Sequence, residues 1–165
     1  FYKEMGFSKG DIALYSKGIG WITTVVFTLL GGLFAIRAGV VKAMFISGIL
    51  MAATNLLFAA LAWSGKSEWL FAVAVLLDDI AAAFATVAFV AFISLLVDRT
   101  YTATQYALLA SIGTLGRTTL AASSGELVDW LNGDWGIFFV ITTVMVIPSL
   151  ICLWIIKDKL KLSAK

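Results

Sequence analysis

Histidine is absent from the 165-residue sequence, and Cys152 is the only cysteine. Their scarcity excludes catalytic triads built on histidine, disulfide frameworks and zinc sites that combine cysteine with histidine. Charged residues are also few, at 13% of the chain, against about 25% in soluble domains. We therefore expect a protein that is not an enzyme, uses no metal or cofactor and binds no nucleic acid.

Hydrophobic residues, in contrast, make up 61% of the chain, well above the roughly 45–50% of soluble domains. One helical crossing of a bilayer takes about 20 apolar residues, and runs of this kind recur along the whole sequence. The alternation typical of a membrane β-barrel is missing from them. The sequence predicts an all-α, polytopic transmembrane helix bundle with crossings at about 12–36, 43–63, 69–97, 102–127 and 137–156.

The loops predict how this bundle is oriented, because Lys and Arg near the ends of crossings stay on the cytoplasmic side. One end collects Lys3, Lys9 and Lys66, and the other collects seven basic residues, namely Arg37, Lys42, Arg99, Lys157, Lys159, Lys161 and Lys165. This asymmetry places the C-terminus in the cytoplasm and the start of the chain outside. Since the chain opens with Phe1 and no signal peptide, we expect a fragment whose upstream crossing completes a six-helix unit.

Four charged residues fall within the predicted crossings: Lys17, Asp78, Asp79 and Arg117. A charge in the hydrocarbon core costs roughly 2.5–3.5 kcal/mol, so such residues are candidates for function. Counting from the cytoplasmic ends at about 1.5 Å per residue places all four within about one helical turn of each other. A common level of this kind predicts a substrate site or a layer of ion pairs.

Asp78 and Asp79 cannot both face one cavity, because helix neighbours point about 100° apart. The face of Asp78 continues through residues that are mostly small, Ala82, Ala85 and Phe89, and small residues let a helix or a ligand approach closely. Counting about the turn between the third and fourth crossings places Ala82 opposite Arg117. The sequence therefore predicts a salt bridge between Asp78 and Arg117.

Structural explanations stay open for each of these residues. Asp78 and Arg117 could form a pair that only fixes helix register, and Lys17 could extend its amine to the outer headgroups. Asn55, alone on an otherwise apolar crossing, could make an interhelical hydrogen bond instead of a ligand contact.

The segment 31–42 after the first crossing resembles the cytoplasmic signature loop of the major facilitator superfamily. Arg37, Gly39 and Lys42 match its pattern, and Gly32 lies in the same segment. The acidic residue that normally precedes the arginine is replaced here by Ile36.

Further motifs extend this resemblance along nearly the whole chain. They are Ser16-Lys17 with Gly20, Gly48-Ile49-Leu50 with Asn55, Phe89-Val90-Ala91-Phe92, the run 102–109, and Gly116-Arg117. Together they resemble the C-terminal half of AmpG-type muropeptide permeases, a branch of the superfamily related to acetyl-coenzyme A transporters. Where that family tends to have Glu-Asn, this chain has Asp78-Asp79.

The resemblance implies proton-coupled import of anhydro-muropeptides across the bacterial inner membrane by alternating access. The implied partners are the lipid bilayer, a small sugar-peptide substrate and the N-terminal six-helix half of the same protein. Arg117 and Lys17 would bind substrate carboxylates, and Asp78 with Asp79 would couple protons, Asp78 exchanging Arg117 for a proton. Neutral groups for the sugar and peptide would come from Asn55, Thr86, Ser111 and Thr114.

Two other classes of protein remain as alternatives. A structural or assembly subunit would use the buried charges to pair with a partner protein. A membrane-embedded enzyme such as an intramembrane aspartyl protease needs two carboxylates that meet from different helices, whereas Asp78 and Asp79 are consecutive.

Overall fold

The computed structural model describes residues 1–6, 8–13, 18, 20–65, 67–97 and 102–163, with the backbone alone at 11, 12 and 158–163. These residues form helices and turns and contain no strand, so the all-α prediction is confirmed. The helices are α1 (Lys9–Ile12), α2 (Gly20–Ala38), α3 (Val40–Ser64), α4 (Glu68–Leu96), α5 (Thr102–Trp130) and α6 (Trp135–Ser163).

Helices α2, α3 and α4 and the Trp135–Lys157 part of α6 are long and apolar enough to cross a membrane. Helix α5 has 29 residues, which exceeds the about 20 that a crossing needs, but it is more polar than the other four. The four later predicted crossings agree with the helices to within a few residues at most boundaries. The first was expected from residue 12, whereas α2 begins at Gly20 and residues 14–17 and 19 lie outside the described part.

Turns with positive φ angles separate the long helices and define the two ends of the bundle. Gly39 (φ 93°) joins α2 to α3, and Gly133 (φ 80°) lies between α5 and α6; both φ values suit glycine because it has no Cβ. Asp134 then caps α6, since its Oδ1 accepts a hydrogen bond of 3.0 Å from the Ile137 N–H. We call the two ends the Gly39 end and the Gly133 end.

Helix α4 packs along α2 and α3, and α3 also packs along α6. Small residues permit the close approach: a Cβ built on Gly31 of α2 would lie 3.5 Å from Phe84 of α4. Helix α5 contacts α4 and α6 at only a few positions, and Val128 is its only buried residue. The bundle is therefore tight on the side of α2, α3 and α4 and loose beside α5.

Aromatic side chains cover the bundle at the Gly133 end. The Tyr2 ring meets the Phe71 ring edge to face at 4.9 Å between centroids, and Phe58 stacks on Phe139 at 5.3 Å. Phe1 packs on Phe139 at 5.0 Å, and Phe71 has no exposed surface. We call Phe1, Tyr2, Phe58, Phe71 and Phe139 the aromatic cap; it fills the space between α3, α4 and α6 at this end.

Candidate functional site

A cavity of about 500 Å³ lies between α3, α4, α5 and α6. Its walls come from all four helices: Met44, Ser47, Gly48 and Met51; Ala82, Ala85, Thr86 and Phe89; Gly113, Thr114 and Arg117; Val146, Ser149, Leu150 and Leu153. The α3 residues follow shortly after the start of that helix, and the α6 residues come shortly before Lys157. The cavity therefore lies toward the Gly39 end.

Two glycine contacts bring the cavity walls together. A Cβ on Gly113 of α5 would lie 2.7 Å from Cζ of Phe89 on α4, and a Cβ on Gly48 of α3 would lie 2.8 Å from Cδ2 of Leu150 on α6. Between these contacts α4 presents only Ala82, Ala85 and Thr86 to the interior. The cavity exists because large side chains touch glycine at its edges while small side chains line its α4 wall.

Arg117 is the one charged residue among those that line this cavity. Its side chain is exposed, and within the described part of the chain no carboxylate forms an ion pair with it. The hydroxyl residues Thr86, Thr114 and Ser149 line the same cavity as the apolar residues Met51 and Leu150. The cavity can thus offer a cation, neutral hydrogen-bonding groups and apolar surface to one ligand.

Asp78 does not line this cavity and does not pair with Arg117 in this structure. Its Oδ1 instead accepts a hydrogen bond of 3.2 Å from the Thr54 hydroxyl on α3. The predicted salt bridge is therefore not formed. The physical reason is that α4 packs closely against α3 at this level, whereas α5, which carries Arg117, touches α4 at few positions.

Asp79 and Tyr2 lie near this pair. Oδ2 of Asp79 is buried and has no hydrogen-bond partner among the described residues. Burial is the main cause, and the negative charges of Asp78 and Asp79 are the lesser causes, that raise the pKa of Tyr2 to about 12. The phenol therefore stays neutral across the physiological range, and its proton remains available for hydrogen bonding.

The other residues predicted for the site divide into three groups. Thr86 and Thr114 line the cavity with Arg117, although the Thr86 hydroxyl donates to the Ala82 carbonyl at 2.8 Å. Asn55 and Ser111 lie on α3 and α5 but outside the cavity lining. Lys17 falls outside the described residues, so its predicted role stays a prediction.

The predicted signature segment forms the turn at the Gly39 end. Arg37 lies in the last turn of α2, Gly39 forms the turn itself, and Lys42 lies in the first turn of α3; both cations are exposed. A Cβ on Gly32 would lie 3.8 Å from Cγ1 of Val87, so Gly32 belongs to the contact between α2 and α4. The segment therefore contains the turn between α2 and α3, and its role as a signature loop stays a prediction.

Several cavity residues were not predicted, and Thr54 was missed as the partner of Asp78. Ser47, Gly48 and Met51 lie on α3, a helix that carries no charge beyond Lys42. A search for charged groups could not find them. The signal that could have done so is the helical spacing of the small or hydroxyl residues Ser47, Gly48 and Thr54, which share one helix face with Met51.

Comparison with known proteins places these features in a family. The family model of the Major Facilitator Superfamily matches residues 1–165. A Rickettsia conorii protein named as an AmpG 4 transporter is 35% identical over 159 residues, which is 96% of this chain and 38% of the relative. The anhydromuropeptide permease of Escherichia coli K12 is 29% identical over 159 residues, 96% of this chain and 32% of the permease.

A second Rickettsia conorii protein, named as an AmpG 1 transporter, is 31% identical over 161 residues, which cover 98% of this chain and 38% of that protein. No solved structure matches. The chain thus spans 32–38% of the length of these relatives, and the resemblance to AmpG-type permeases is confirmed. By its family match along the full sequence, the chain belongs to the major facilitator superfamily.

Proposed function

We propose that this chain is part of a secondary active transporter that imports cell-wall muropeptides by alternating access. The observation that carries the proposal is the Arg117 guanidinium in a cavity between four membrane helices, where no described carboxylate pairs with it. A cation inside a helix bundle is costly unless an anion accompanies it. A ligand carboxylate would supply that anion.

The chemistry of the cavity fits an anhydro sugar-peptide. Such a molecule carries carboxylates, amides and hydroxyls, and Arg binds carboxylates through charge-assisted, often bidentate hydrogen bonds. Hydroxyls of Thr114 and Ser149 are available on two neighbouring helices, and Met51 with Leu150 provides apolar surface. The volume of about 500 Å³ lies within the roughly 300–1,000 Å³ of small-molecule sites.

Proton coupling is assigned to Asp78, with Asp79 beside it. Asp78 is half-buried within a membrane helix and is stabilised by a neutral donor, Thr54, rather than by a cation. A carboxyl group in that setting can take up and release a proton without breaking an ion pair. Exchange of Arg117 for a proton would then belong to another state of the transport cycle.

The remaining parts of the proposal concern the whole protein. The chain would pair with an N-terminal six-helix half of the same protein and lie in the bacterial inner membrane. The basic residues Arg37, Lys42 and Lys157 collect at the Gly39 end, which supports a cytoplasmic location for this end and for the C-terminus.

The experiment uses the full-length protein reconstituted in proteoliposomes, with uptake of labelled anhydro-muropeptide as the readout. Replacing Arg117 by Gln removes a charge-assisted contact worth about 1.5–3 kcal/mol, so the KM for uptake should rise by about 10- to 150-fold. Lys157→Gln is the matched control, because Lys157 is a cation at the Gly39 end and lies outside the cavity lining.

Two results would contradict the proposal. The first is an absence of muropeptide uptake by the wild-type protein, and if the protein instead forms a stable complex with another membrane protein, an assembly role is favoured. The second is equal KM values for Arg117→Gln, Lys157→Gln and wild type, which would show that Arg117 does not contact the substrate.

A further inference from the structure

The interface between α3 and α4 contains one polar side-chain contact, which lies between the cavity and the aromatic cap. Thr54 on α3 is buried, with 3% of its surface exposed, and its hydroxyl lies 3.2 Å from Oδ1 of Asp78 on α4. On the Gly39 side of this contact, Met51 and Ala82 line the cavity. On the Gly133 side, Phe58 and Phe71 of the aromatic cap belong to a buried hydrophobic cluster.

The Thr54 hydroxyl has two acceptors within reach. Besides Asp78, it lies 3.0 Å from the carbonyl oxygen of Met51 in its own helix. A hydroxyl carries one proton and can donate fully to only one acceptor at a time. Hydrogen bonds to a charged acceptor are roughly twice as strong as neutral ones, so a charged Asp78 should take the proton and a neutral Asp78 should release it to Met51.

Few other ionisable groups face Asp78. Asp79 is its neighbour on α4, and Tyr2 approaches from the Gly133 end closely enough for the carboxylate charge to act on its phenol. Across the cavity, α5 carries Arg117, which does not reach Asp78. On the described side chains of α2, α3 and α6, the cations are Arg37, Lys42 and Lys157, all at the Gly39 end. Thr54 is thus the one described hydrogen-bond donor to this carboxylate.

We propose that Thr54 is a positioning residue for the coupling proton: it donates to Asp78 when Asp78 is charged and turns to the Met51 carbonyl when Asp78 is protonated. A protonated Asp78 can in turn donate its own O–H to the Thr54 oxygen. The contact between α3 and α4 is then satisfied in both charge states, and the proton is exchanged one helical turn from the cavity wall. This inference rests on the proposed proton-coupled transport.

The test replaces Thr54 by Val, which keeps the shape of the side chain and removes the hydroxyl, and by Ser, which keeps the hydroxyl. Full-length protein in proteoliposomes is assayed for muropeptide uptake driven by a pH gradient, at a series of internal and external pH values. Without its donor the charged carboxylate is less stable, so the pH of half-maximal uptake should rise by about one unit in Thr54→Val. Thr54→Ser should keep the wild-type profile.

Substrate counterflow at equal pH on both sides separates this role from binding and folding. Thr54 does not line the cavity, so Thr54→Val should exchange labelled for unlabelled muropeptide with an unchanged KM. Thr142→Val is the matched control, because the Thr142 hydroxyl donates at 2.8 Å to the Phe139 carbonyl of its own helix. It should leave both the counterflow and the pH profile unchanged.

A variant series in an Asp78→Asn background provides the second line of evidence. Because Asp78→Asn should itself lose uptake driven by a pH gradient, this series is measured by counterflow at a series of equal pH values. If Thr54 acts through Asp78, adding Thr54→Val to Asp78→Asn should cause no further shift in the pH dependence of counterflow. An unchanged profile in Thr54→Val, or an equal shift in the Asp78→Asn background, would overturn the positioning role. Absence of counterflow in the wild-type protein would instead overturn the proposed substrate, so the two failures are distinguishable.

Discussion

The contact between α4 and α5 allows a sharp test of how the cavity is held, by comparing Gly113→Ala with Gly116→Ala in the full-length protein. A Cβ at position 113 would lie 2.7 Å from Cζ and 3.4 Å from Cε1 of Phe89, whereas a Cβ at position 116 would meet nothing within 4 Å. Both substitutions place the same methyl group in the interior of the same helix. The difference between them therefore isolates the packing against Phe89.

The expected magnitude follows from the overlap. Carbon atoms pack best at about 3.5–4.0 Å, so the new methyl group would overlap the Phe89 ring tip by roughly 0.8 Å or more. Overpacking of this kind costs about 1–3 kcal/mol, while the gain of up to about 1 kcal/mol from replacing glycine in a helix is common to both variants. The free energy of unfolding of Gly113→Ala should therefore be about 1–3 kcal/mol lower than that of Gly116→Ala.

Unfolding free energies in mixed micelles and uptake kinetics would measure the effect. Phe89 lines the cavity, so a displacement of its ring changes the shape of the cavity, and Gly113→Ala should also raise the KM for muropeptide. Shortening the side chain with Phe89→Leu should restore stability in the double variant. Equal stability and equal KM for the two alanine variants, or no recovery with Phe89→Leu, would refute the packing argument.

Two further predictions concern the Gly133 end. The pKa of Tyr2 is raised to about 12 from about 10, so the neutral phenol stabilises the fold fully below about pH 10 and this contribution is lost as the pH rises toward 12. Over this pH range the free energy of unfolding should therefore fall less steeply for Tyr2→Phe than for wild type. Parallel curves for the two proteins would contradict the assignment. Phe71→Ala should lower the free energy of unfolding by about 3–5 kcal/mol, because Phe71 is fully buried. Phe138→Ala, at a partly exposed site, should lower it by less in the same assay. Equal losses would show that the aromatic cap does not stabilise this end.

Much of the fold could be predicted because a bilayer restricts what a helix can be. A crossing must be long and apolar, so uncharged runs mark its extent, and the end of α2 after Arg37 and the beginning of α6 after Asp134 agree with the sequence. Helix α5 was recognised by its length and by its position between loops rather than by hydropathy. Thr114 and Arg117 of this helix line the cavity, whereas its other polar residues, such as Ser111 and Thr118, lie outside the lining.

Relative heights of residues on neighbouring helices could also be predicted, because residue counts convert directly into height along a helix. Ala82, placed opposite Arg117 by counting, lines the same cavity as Arg117, together with the predicted Thr86 and Thr114. Counting does not give the distance between two helices at that height. Helix α5 contacts α4 at only a few positions, among them the contact of Gly113 with Phe89. Because of this separation Arg117 does not form an ion pair with Asp78.

Asp78 lies on a face of α4 that is buried in the hydrophobic cluster at one end and lines the cavity at the other. At 100° per residue, Phe71, Ala74, Val75 and Asp78 share a stripe with the cavity residues that follow them at 82, 85 and 89. The first three are buried in the hydrophobic cluster, and the last three line the cavity. Asp78 stands at the transition, one turn on the buried side.

The sequence defines this face of α4 but not the residue at which the face begins to line the cavity, because that depends on the distances of α5 and α6 from α4. A carboxylate on the closed side must find a donor across the nearest helix, and Thr54 is the donor that α3 offers. If α5 moved toward α4 during transport, Arg117 would approach Asp78, and the partner of this carboxylate could change from Thr54 to Arg117. In such a movement the charge of Asp78 and the width of the cavity would change together, which is the coupling that the proposed proton-driven transport requires.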